Sequence, residues 1–384
     1  MSVTFAKGFE ASGVACGLKS SGNKDLAVVV NRGPLKLAAA VFTTNRCQAN
    51  PILWSKEVIK DHKVEAIVLN SGGANCYTGS EGFQNTHATA EELAQALEVA
   101  SGDVLVCSTG LIGEQLDRKK LLSGVQAAVG SLAADGGVAA SEAIMTTDSV
   151  AKRSQVESSS GWRIGGMAKG AGMLAPGLAT MLVVITTDAI VDAKLLDASL
   201  RKATRVSFDR LDSDGCMSTN DQVTLMASGA SGVAADVQEF EALLTEVCKD
   251  LALKLLDDAE GASHNIHITV EGAATEDDAV EVARSVARNN LFKAAIYGND
   301  PNWGRILAAV GTTKAQFDPY NIDVSINGVL ISSKGQPAGN RSEIDLTPRR
   351  VEIGINLNAG QELATVVTND LTHAYVEENS AYSS

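Results

Sequence analysis

Short apolar runs recur along the chain, and loops rich in glycine and polar residues separate them. The runs are dense in β-branched and aliphatic side chains, a pattern that is typical of buried strands. They predict strands at residues 26–31, 37–43, 64–70, 103–110, 161–170, 180–187, 222–229, 264–272, 322–328, 350–358 and 361–370.

Segments with apolar residues at helical spacing lie between many of these runs. They predict helices at residues 89–100, 116–129, 138–145, 193–205, 237–256, 276–290 and within 300–311. Thr89 and Glu92 have the spacing of a capping box, so the first helix is expected to begin there. Alternating strands and helices, with abundant glycine and few aromatic residues, indicate a layered α/β protein with many tight turns.

Composition narrows the class of protein. A chain of 384 residues, 45% hydrophobic and 20% charged, is expected to form a packed globular protein of two or three domain-sized units. The net charge of −14 argues against a nucleic-acid partner and against an anionic membrane surface. Six scattered cysteines without a C-x-x-C pair, no secretory signal and no membrane-length apolar run favour the cytoplasm.

The junction Ala179–Thr180 is the main candidate for chemistry. It follows a loop with Gly170, Gly172, Pro176 and Gly177, and Thr180 takes the first position of a predicted buried strand. If the chain is cut there, the new α-amine of the threonine can act as the base for its own hydroxyl. On this pattern alone, an ordinary strand start remains the alternative.

Two further positions could assist such a nucleophile. Thr109 and Gly110 end a predicted strand, where a hydroxyl and backbone N–H groups can form an oxyanion site, although ordinary strand-to-loop turns look the same. Lys169 could anchor a carboxylate or assist proton movement, and its alternative is a plain surface cation. The loop SGGANCYTG after residue 70 could present N–H groups to an anion, but it does not match a dinucleotide fingerprint.

Other common catalytic motifs do not occur in the sequence. There is no G-x-S-x-G, Walker or HExxH motif, and none of the five histidines has a catalytic-looking context. Asp209, Asp212 and Asp214 do not match the EF-hand spacing, so we predict no metal site. An acyl-transfer nucleophile in this chain would therefore have to be activated without histidine.

The stretch KGAGMLAPGLATMLVVITTDA, with CSTGLIGE, AIMTTD, DGCMSTND, DPNWGR and NSAYSS, resembles the ornithine acetyltransferase (glutamate N-acetyltransferase) family of the cyclic arginine pathway. The motifs occur in the family's order along essentially the whole chain. The resemblance implies an N-terminal-nucleophile-like fold with mixed sheets flanked by helices. It also implies self-cleavage into an alpha chain, 1–179, and a beta chain, 180–384, which pack as one catalytic unit in a heterotetramer of two alpha and two beta chains.

The same resemblance implies the roles of individual residues. Thr180 would be the nucleophile for self-cleavage at Ala179–Thr180 and for transfer, and Thr109 with Gly110 would form the oxyanion hole. The positions that match substrate contacts are Thr146, Lys169, Thr180, Glu260, Asn379 and Ser384. Thr147 is the alternative register for Thr146, and Ser384 stands where some relatives carry threonine.

The implied reaction is acetyl transfer from N2-acetyl-L-ornithine to L-glutamate, by a ping-pong mechanism through acetyl-Thr180. No cofactor is implied, although acetyl-CoA could be a second acetyl donor. The sequence leaves two other functions open: an amidohydrolase that uses the same N-terminal threonine, and a non-catalytic protein that binds amino acids.

Overall fold

The computed structural model describes residues 2–175 and 181–381. The strands in these ranges are β1 (Phe9–Val14), β2 (Leu26–Asn31), β3 (Leu37–Phe42), β4 (Ala66–Ser71), β5 (Val104–Thr109), β6 (Lys152–Glu157), β7 (Arg163–Lys169), β8 (Leu182–Thr187), β9 (Gln222–Ala227), β10 (Asn265–Ala273), β11 (Asp323–Ile326), β12 (Val329–Ser333), β13 (Gln336–Pro337), β14 (Arg350–Asn356) and β15 (Glu362–Asn369).

The α-helices of the same ranges are α1 (Asn50–Val58), α2 (Gly79–Leu97), α3 (Arg118–Gly130), α4 (Gly137–Ala143), α5 (Ala193–Arg205), α6 (Val237–Asp257), α7 (Glu276–Ala287), α8 (Asn290–Tyr297), α9 (Trp303–Val310) and α10 (His373–Ala381). None of these helices is both long and apolar enough to cross a membrane.

Two mixed sheets pack face to face in the first part of the molecule. The first sheet has the order β1-β2-β4-β5 and the second has the order β3-β9-β8-β7-β6. Alternate side chains of β2, β4 and β5 face Met167, Leu182 and Val184 of the second sheet in one buried core. Helices α2 and α3 cover the outer face of the first sheet, and α5 and α6 cover that of the second. The result is a four-layer arrangement of helix, sheet, sheet and helix.

The second sheet draws its strands from both sides of the Ala179–Thr180 junction. Strands β3, β6 and β7 precede the junction, and β8 and β9 follow it. Strands β7 and β8 are antiparallel neighbours, and Lys169 pairs with Leu182 where the intervening loop leaves the sheet. Both ends of that loop are therefore fixed by strand pairing.

A third sheet forms a separate layered unit in the later part of the chain. Its order is β13-β12-β11-β14-β10-β15, and only β10 and β14 are parallel neighbours. Helices α7, α8 and α9 bury their apolar faces against one side of it in a common core. The mixed sheets flanked by helices confirm the predicted α/β class.

One local prediction was wrong, and helix α10 was not predicted. Helix α2 begins at Gly79, so Thr89 lies inside the helix, where its hydroxyl donates to the carbonyl oxygen of Asn85 (2.7 Å) instead of capping an end. The polar C-terminal stretch, for which no element was predicted, forms helix α10. Its buried contacts are few, so the hydrophobic pattern gave no signal for it.

Candidate active site

A cavity of about 250 Å³ opens where strand ends of the two stacked sheets meet. Its walls bring together six of the residues predicted from sequence, namely Thr109, Gly110, Thr146, Lys169, Glu260 and Asn379. The other three predicted positions, Ala179, Thr180 and Ser384, lie outside the described residues. Residues far apart in sequence therefore share one concave site, which is the usual form of a small-molecule site.

The parallel pairing of β4 with β5 builds one wall. Because parallel strands end at the same edge of a sheet, the loop after β4 lies beside the end of β5. The backbone N–H groups of Gly72 and Gly73 both donate to the carbonyl oxygen of Thr109, at 2.9 and 3.0 Å. These two N–H groups are thus committed to the protein itself, and the glycine-rich loop does not offer them to an anion.

Gly110 continues this wall in a conformation that requires glycine. Its φ is +127°, which side chains rarely adopt. A Cβ atom at this position would also lie 2.6 Å from the backbone nitrogen of Gly73. The close approach of the two loops therefore depends on the absence of a side chain here.

Lys169 ends β7 and reaches the same wall from the second sheet. It is only 1% exposed, and its Nζ donates to Oγ1 of Thr109 at 3.2 Å. Burial lowers the pKa of the Lys169 ammonium, and the nearby Asp148 carboxylate partly opposes that shift. The alternative of a plain surface cation is wrong. Since Nζ donates to the hydroxyl oxygen, the hydroxyl proton of Thr109 is free to point elsewhere.

Glu260 forms another part of the cavity wall. Its Oε1 accepts a hydrogen bond from Oγ1 of Thr147 (2.7 Å), and its backbone N–H donates to the carbonyl oxygen of Ala171 (3.0 Å). The carboxylate packs directly over Gly172, where a Cβ atom would lie 2.4 Å from Oε2. Asn379 reaches the cavity from helix α10.

Thr146 and Thr147, the two alternatives for one predicted substrate contact, both line the cavity and make different hydrogen bonds. Sequence reasoning missed other residues that shape the site. Asn220 also lines it, and its Nδ2 donates to the carbonyl oxygens of Ala74 (2.6 Å) and Ser108 (2.9 Å). The polar stretch before strand β9 was the available signal for Asn220, but it could not reveal which segment the amide would bind.

Asp148 was also missed, and it lies buried behind the cavity wall. Its Oδ2 accepts the backbone N–H of Thr146 (2.9 Å), and its Oδ1 accepts that of Gly170 (2.6 Å). Oδ1 also pairs with Nζ of Lys152 at 2.5 Å. Burial raises the pKa of this carboxyl, but the charges of Lys169 and Lys152, with the hydrogen bonds from Gly170 and Lys152, outweigh burial and hold that pKa below its ordinary value.

The described residues on either side of the junction have distinctive local geometry. Met173, before it, has a φ of +57°, an uncommon conformation for a residue with a side chain. Met181, after it, donates its backbone N–H to Oδ1 of Asp221 at 3.0 Å. Asp221 is fully buried, and burial raises its pKa well above the ordinary carboxyl value. The residue that precedes β8 is thus anchored to a buried carboxyl group.

The cavity offers a hydroxyl donor, a buried ammonium and a carboxylate, which together suit a zwitterionic amino-acid substrate. None of the described residues that line it is a histidine. Within residues 2–175 and 181–381, no cluster of three or more His, Cys, Asp or Glu side chains is arranged to hold a metal ion. Fold and site together define a layered α/β enzyme of acyl-transfer type.

The chain belongs to the ArgJ family, whose profile matches residues 10–384. It is 59% identical over 384 residues to the arginine biosynthesis bifunctional protein ArgJ of Streptomyces avermitilis, and each chain is covered completely. The protein of the same name from Thermobifida fusca is 58% identical over 383 residues, again with full coverage of both chains. The family predicted from sequence is confirmed, and the protein is an acetyltransferase of arginine biosynthesis.

A solved structure is also similar. It is the crystal structure of ornithine acetyltransferase complexed with ornithine from Mycobacterium tuberculosis, with 48% sequence identity and a TM-score of 0.45. The match covers 47% of this chain and 96% of that chain.

Proposed function

We propose that the protein transfers an acetyl group from N2-acetyl-L-ornithine to L-glutamate through an acetyl-Thr180 intermediate, after self-cleavage at Ala179–Thr180. The observation that carries this proposal is the meeting of Thr109, Gly110, Lys169 and Glu260 in one cavity, beside the fixed ends of the loop that contains the junction. Two further residues with predicted substrate contacts, from other segments, line the same cavity.

In the first half of the reaction, Oγ of Thr180 attacks the acetyl carbonyl carbon and its proton passes to the Thr180 α-amine. The hydroxyl of Thr109 and the backbone N–H of Gly110 stabilise the oxyanion that forms. When the carbon–nitrogen bond breaks, the α-ammonium returns the proton to the departing nitrogen. Ornithine leaves as a free amine, and the acetyl group stays on Thr180 as an ester.

In the second half, the amine of glutamate attacks the ester carbonyl carbon. The oxygen of Thr180 leaves, and the proton lost by the glutamate nitrogen passes through the α-amine to that oxygen. The same oxyanion donors serve this step because the tetrahedral centre forms at the same place. The product is N-acetylglutamate, and the enzyme returns to its starting state.

The two amino acids share an α-carboxylate and differ in their side chains. The Lys169 ammonium and the hydroxyl of Thr146 line the cavity and suit the common carboxylate. Glu260 suits the side-chain ammonium of ornithine, which glutamate lacks. Asn379 lines the cavity and is a further substrate contact in this proposal, as is Ser384.

We further propose that residues 1–179 and 180–384 are the alpha and beta chains of the mature enzyme, associated as two of each. The shared second sheet supports an association that survives the cut. We place the enzyme in the cytoplasm, where the six free cysteines would stay reduced. No cofactor is needed for the reaction as written.

A second acetyl donor is favoured by one specific observation. The Streptomyces and Thermobifida relatives are named bifunctional proteins. Acetyl-CoA would then acylate the same Thr180, and glutamate would again accept the acetyl group. Acylation by N2-acetylornithine and acylation by acetyl-CoA would give the same acetyl-Thr180 intermediate and would differ only in the leaving group.

The test is incubation of purified protein with N2-acetylornithine, with and without glutamate, and with acetyl-CoA as the alternative donor. We expect ornithine and N-acetylglutamate in equal amounts when glutamate is present. Steady release of acetate without glutamate would instead indicate an amidohydrolase. Thermal stabilisation by the amino acids without any product would indicate a binding protein.

A further inference from the structure

A row of buried charges lies behind the cavity wall. Asp148 and Lys152 form an ion pair at 2.5 Å, and both are almost completely buried. Lys152 also pairs with Asp258 at 2.5 Å, on the side away from the cavity. Lys169 is buried on the cavity side. The mechanism described above uses only Lys169 of these four groups, so the role of the other three remains to be explained.

Asp148 joins two separate parts of the cavity wall. One carboxylate oxygen accepts the N–H of Thr146, and the other accepts the N–H of Gly170, the residue that follows Lys169. Charge-assisted hydrogen bonds of this kind are stronger than those between neutral groups. One buried side chain thus fixes the distance between a predicted substrate contact and the end of β7.

Asp148 is also the carboxylate best placed to keep Lys169 charged. The charged groups with the largest effects on the Lys169 ammonium are Asp148, Lys152, Asp221 and Glu260. Burial lowers the pKa of Lys169, Asp148 opposes this most, and Lys152 adds to the lowering. Asp221 has a strongly raised pKa, whereas that of Asp148 is held low, so Asp148 is the buried carboxylate that stays ionised.

The charge state of Lys169 decides what Thr109 can do. An ammonium only donates, so it leaves the Thr109 hydroxyl proton available for the oxyanion. A neutral amine has a lone pair and can accept that proton instead. Loss of the charge would therefore remove the hydroxyl from the oxyanion site without moving any backbone.

We propose that Asp148 is a positioning residue for acetyl transfer: it holds Thr146 and the end of β7 in register and keeps Lys169 an ammonium that directs the Thr109 hydroxyl toward the oxyanion. This inference rests on the proposed function, because the oxyanion forms only if that reaction occurs. Asp148 acts through Lys169 and Thr146 and need not touch the substrate.

The experiment is the pH profile of kcat for acetyl transfer in wild type and two variants, with rates normalised to the fraction of chains that are cut. Activity requires protonated Lys169, so it falls as pH rises through the pKa of that group. Asp148→Asn removes the negative charge that favours protonated Lys169. The alkaline loss of activity is therefore expected to shift to lower pH, by about one pH unit. Lys152→Met removes a positive charge that lowers the pKa of Lys169, so the alkaline loss of activity is expected to shift to higher pH.

Asp258→Asn is the matched control, because Asp258 pairs with the same Lys152 but is not among the charges with the largest effects on Lys169. Its alkaline limb is expected to coincide with that of wild type. The acid limb, set by the Thr180 amine, is expected to stay in place in all variants.

An unmoved limb in Asp148→Asn, or shifts of the same sign in both variants, would overturn the role of Asp148 while leaving acetyl transfer intact. If Asp148→Asn does not fold, Lys152→Met decides alone, and an unchanged or lowered limb overturns the proposal. Wild-type protein that forms no N-acetylglutamate would overturn the proposed function and this inference together.

Discussion

Thr109 has two separate tasks at the end of β5. Its carbonyl oxygen accepts the N–H groups of Gly72 and Gly73, which fixes the backbone, and its hydroxyl oxygen accepts Nζ of Lys169. The hydroxyl proton is then the part of this residue that can serve the reaction. The backbone contacts do not depend on the side chain, so the two tasks can be separated by mutation.

Thr109→Val keeps the shape of the buried side chain and removes only the hydroxyl. We expect kcat to fall about 10²–10³-fold with little change in KM, the usual result of removing one oxyanion donor. Steady-state kinetics on both substrates measure this. Thr109→Ser keeps a hydroxyl and is the control, expected to retain most activity. A loss confined to KM would show that Thr109 is not an oxyanion donor.

Glu260 is expected to distinguish the two substrates. Glu260→Gln should raise the KM for N2-acetylornithine about tenfold or more, since a hydrogen bond to a charged group is worth about 1.5–3 kcal/mol. The KM for glutamate should change little, because glutamate has no side-chain ammonium. Glu91→Gln, an exposed carboxylate on α2, is the control for net charge. Equal effects on both substrates would argue against this role.

At the scale of elements, the approach of two loops at the sheet edge makes the site. The loop after β4 and the first residue after β5 come so close that a Cβ atom at Gly110 would lie 2.6 Å from the backbone of Gly73. The hairpin of β7 and β8 brings Lys169 to the same edge from the second sheet. The site thus forms where the loop after β4, the loop after β5 and the end of β7 meet, and strand pairing fixes the position of each.

Gly110→Ala should destabilise the fold as well as the site. The positive φ alone costs about 1–3 kcal/mol for a residue with a side chain, and the contact with Gly73 adds to it. Denaturant unfolding should show a lower midpoint, and activity should fall further than stability accounts for. Gly102→Ala is the control, because a Cβ atom there meets nothing within 4 Å. Equal stability of the two variants would contradict the described loop contact.

The same elements show what sequence could and could not predict. Buried strands such as β2 and β5 were predicted well because their apolar residues are local and continuous. The burial of Lys169 was not predictable, because its partners Thr109 and Asp148 come from other parts of the chain. Asn220 and Asp148 were missed for the same reason, since only tertiary contacts reveal which backbone groups they bind. Ala179, Thr180 and Ser384 remain predictions.

At the scale of the whole molecule, the second sheet decides what a cut at Ala179–Thr180 would do. Strands from residues 1–179 and from residues 180–384 pair directly at β3 with β9 and at β7 with β8. Apolar side chains from both segments also share the core between the sheets. A single broken peptide bond in the connecting loop removes none of these contacts.

We therefore expect the cut protein to run as one particle in native size-exclusion chromatography and as two fragments on a denaturing gel. Thr180→Ala should give one full-length band and no acetyl transfer, and it serves as the uncut control. Fragments that separate without denaturant would contradict the shared sheet. A fully active enzyme with a single intact chain would contradict self-cleavage.

The most direct test of the central claim is intact-mass analysis of the protein after incubation with N2-acetylornithine alone. We expect the fragment that begins at Thr180 to gain the mass of one acetyl group and to lose it when glutamate is added, as N-acetylglutamate appears. Peptide mapping should place the group on Thr180. An enzyme that forms N-acetylglutamate while neither fragment ever carries an acetyl group, even in rapidly quenched samples, would contradict the account.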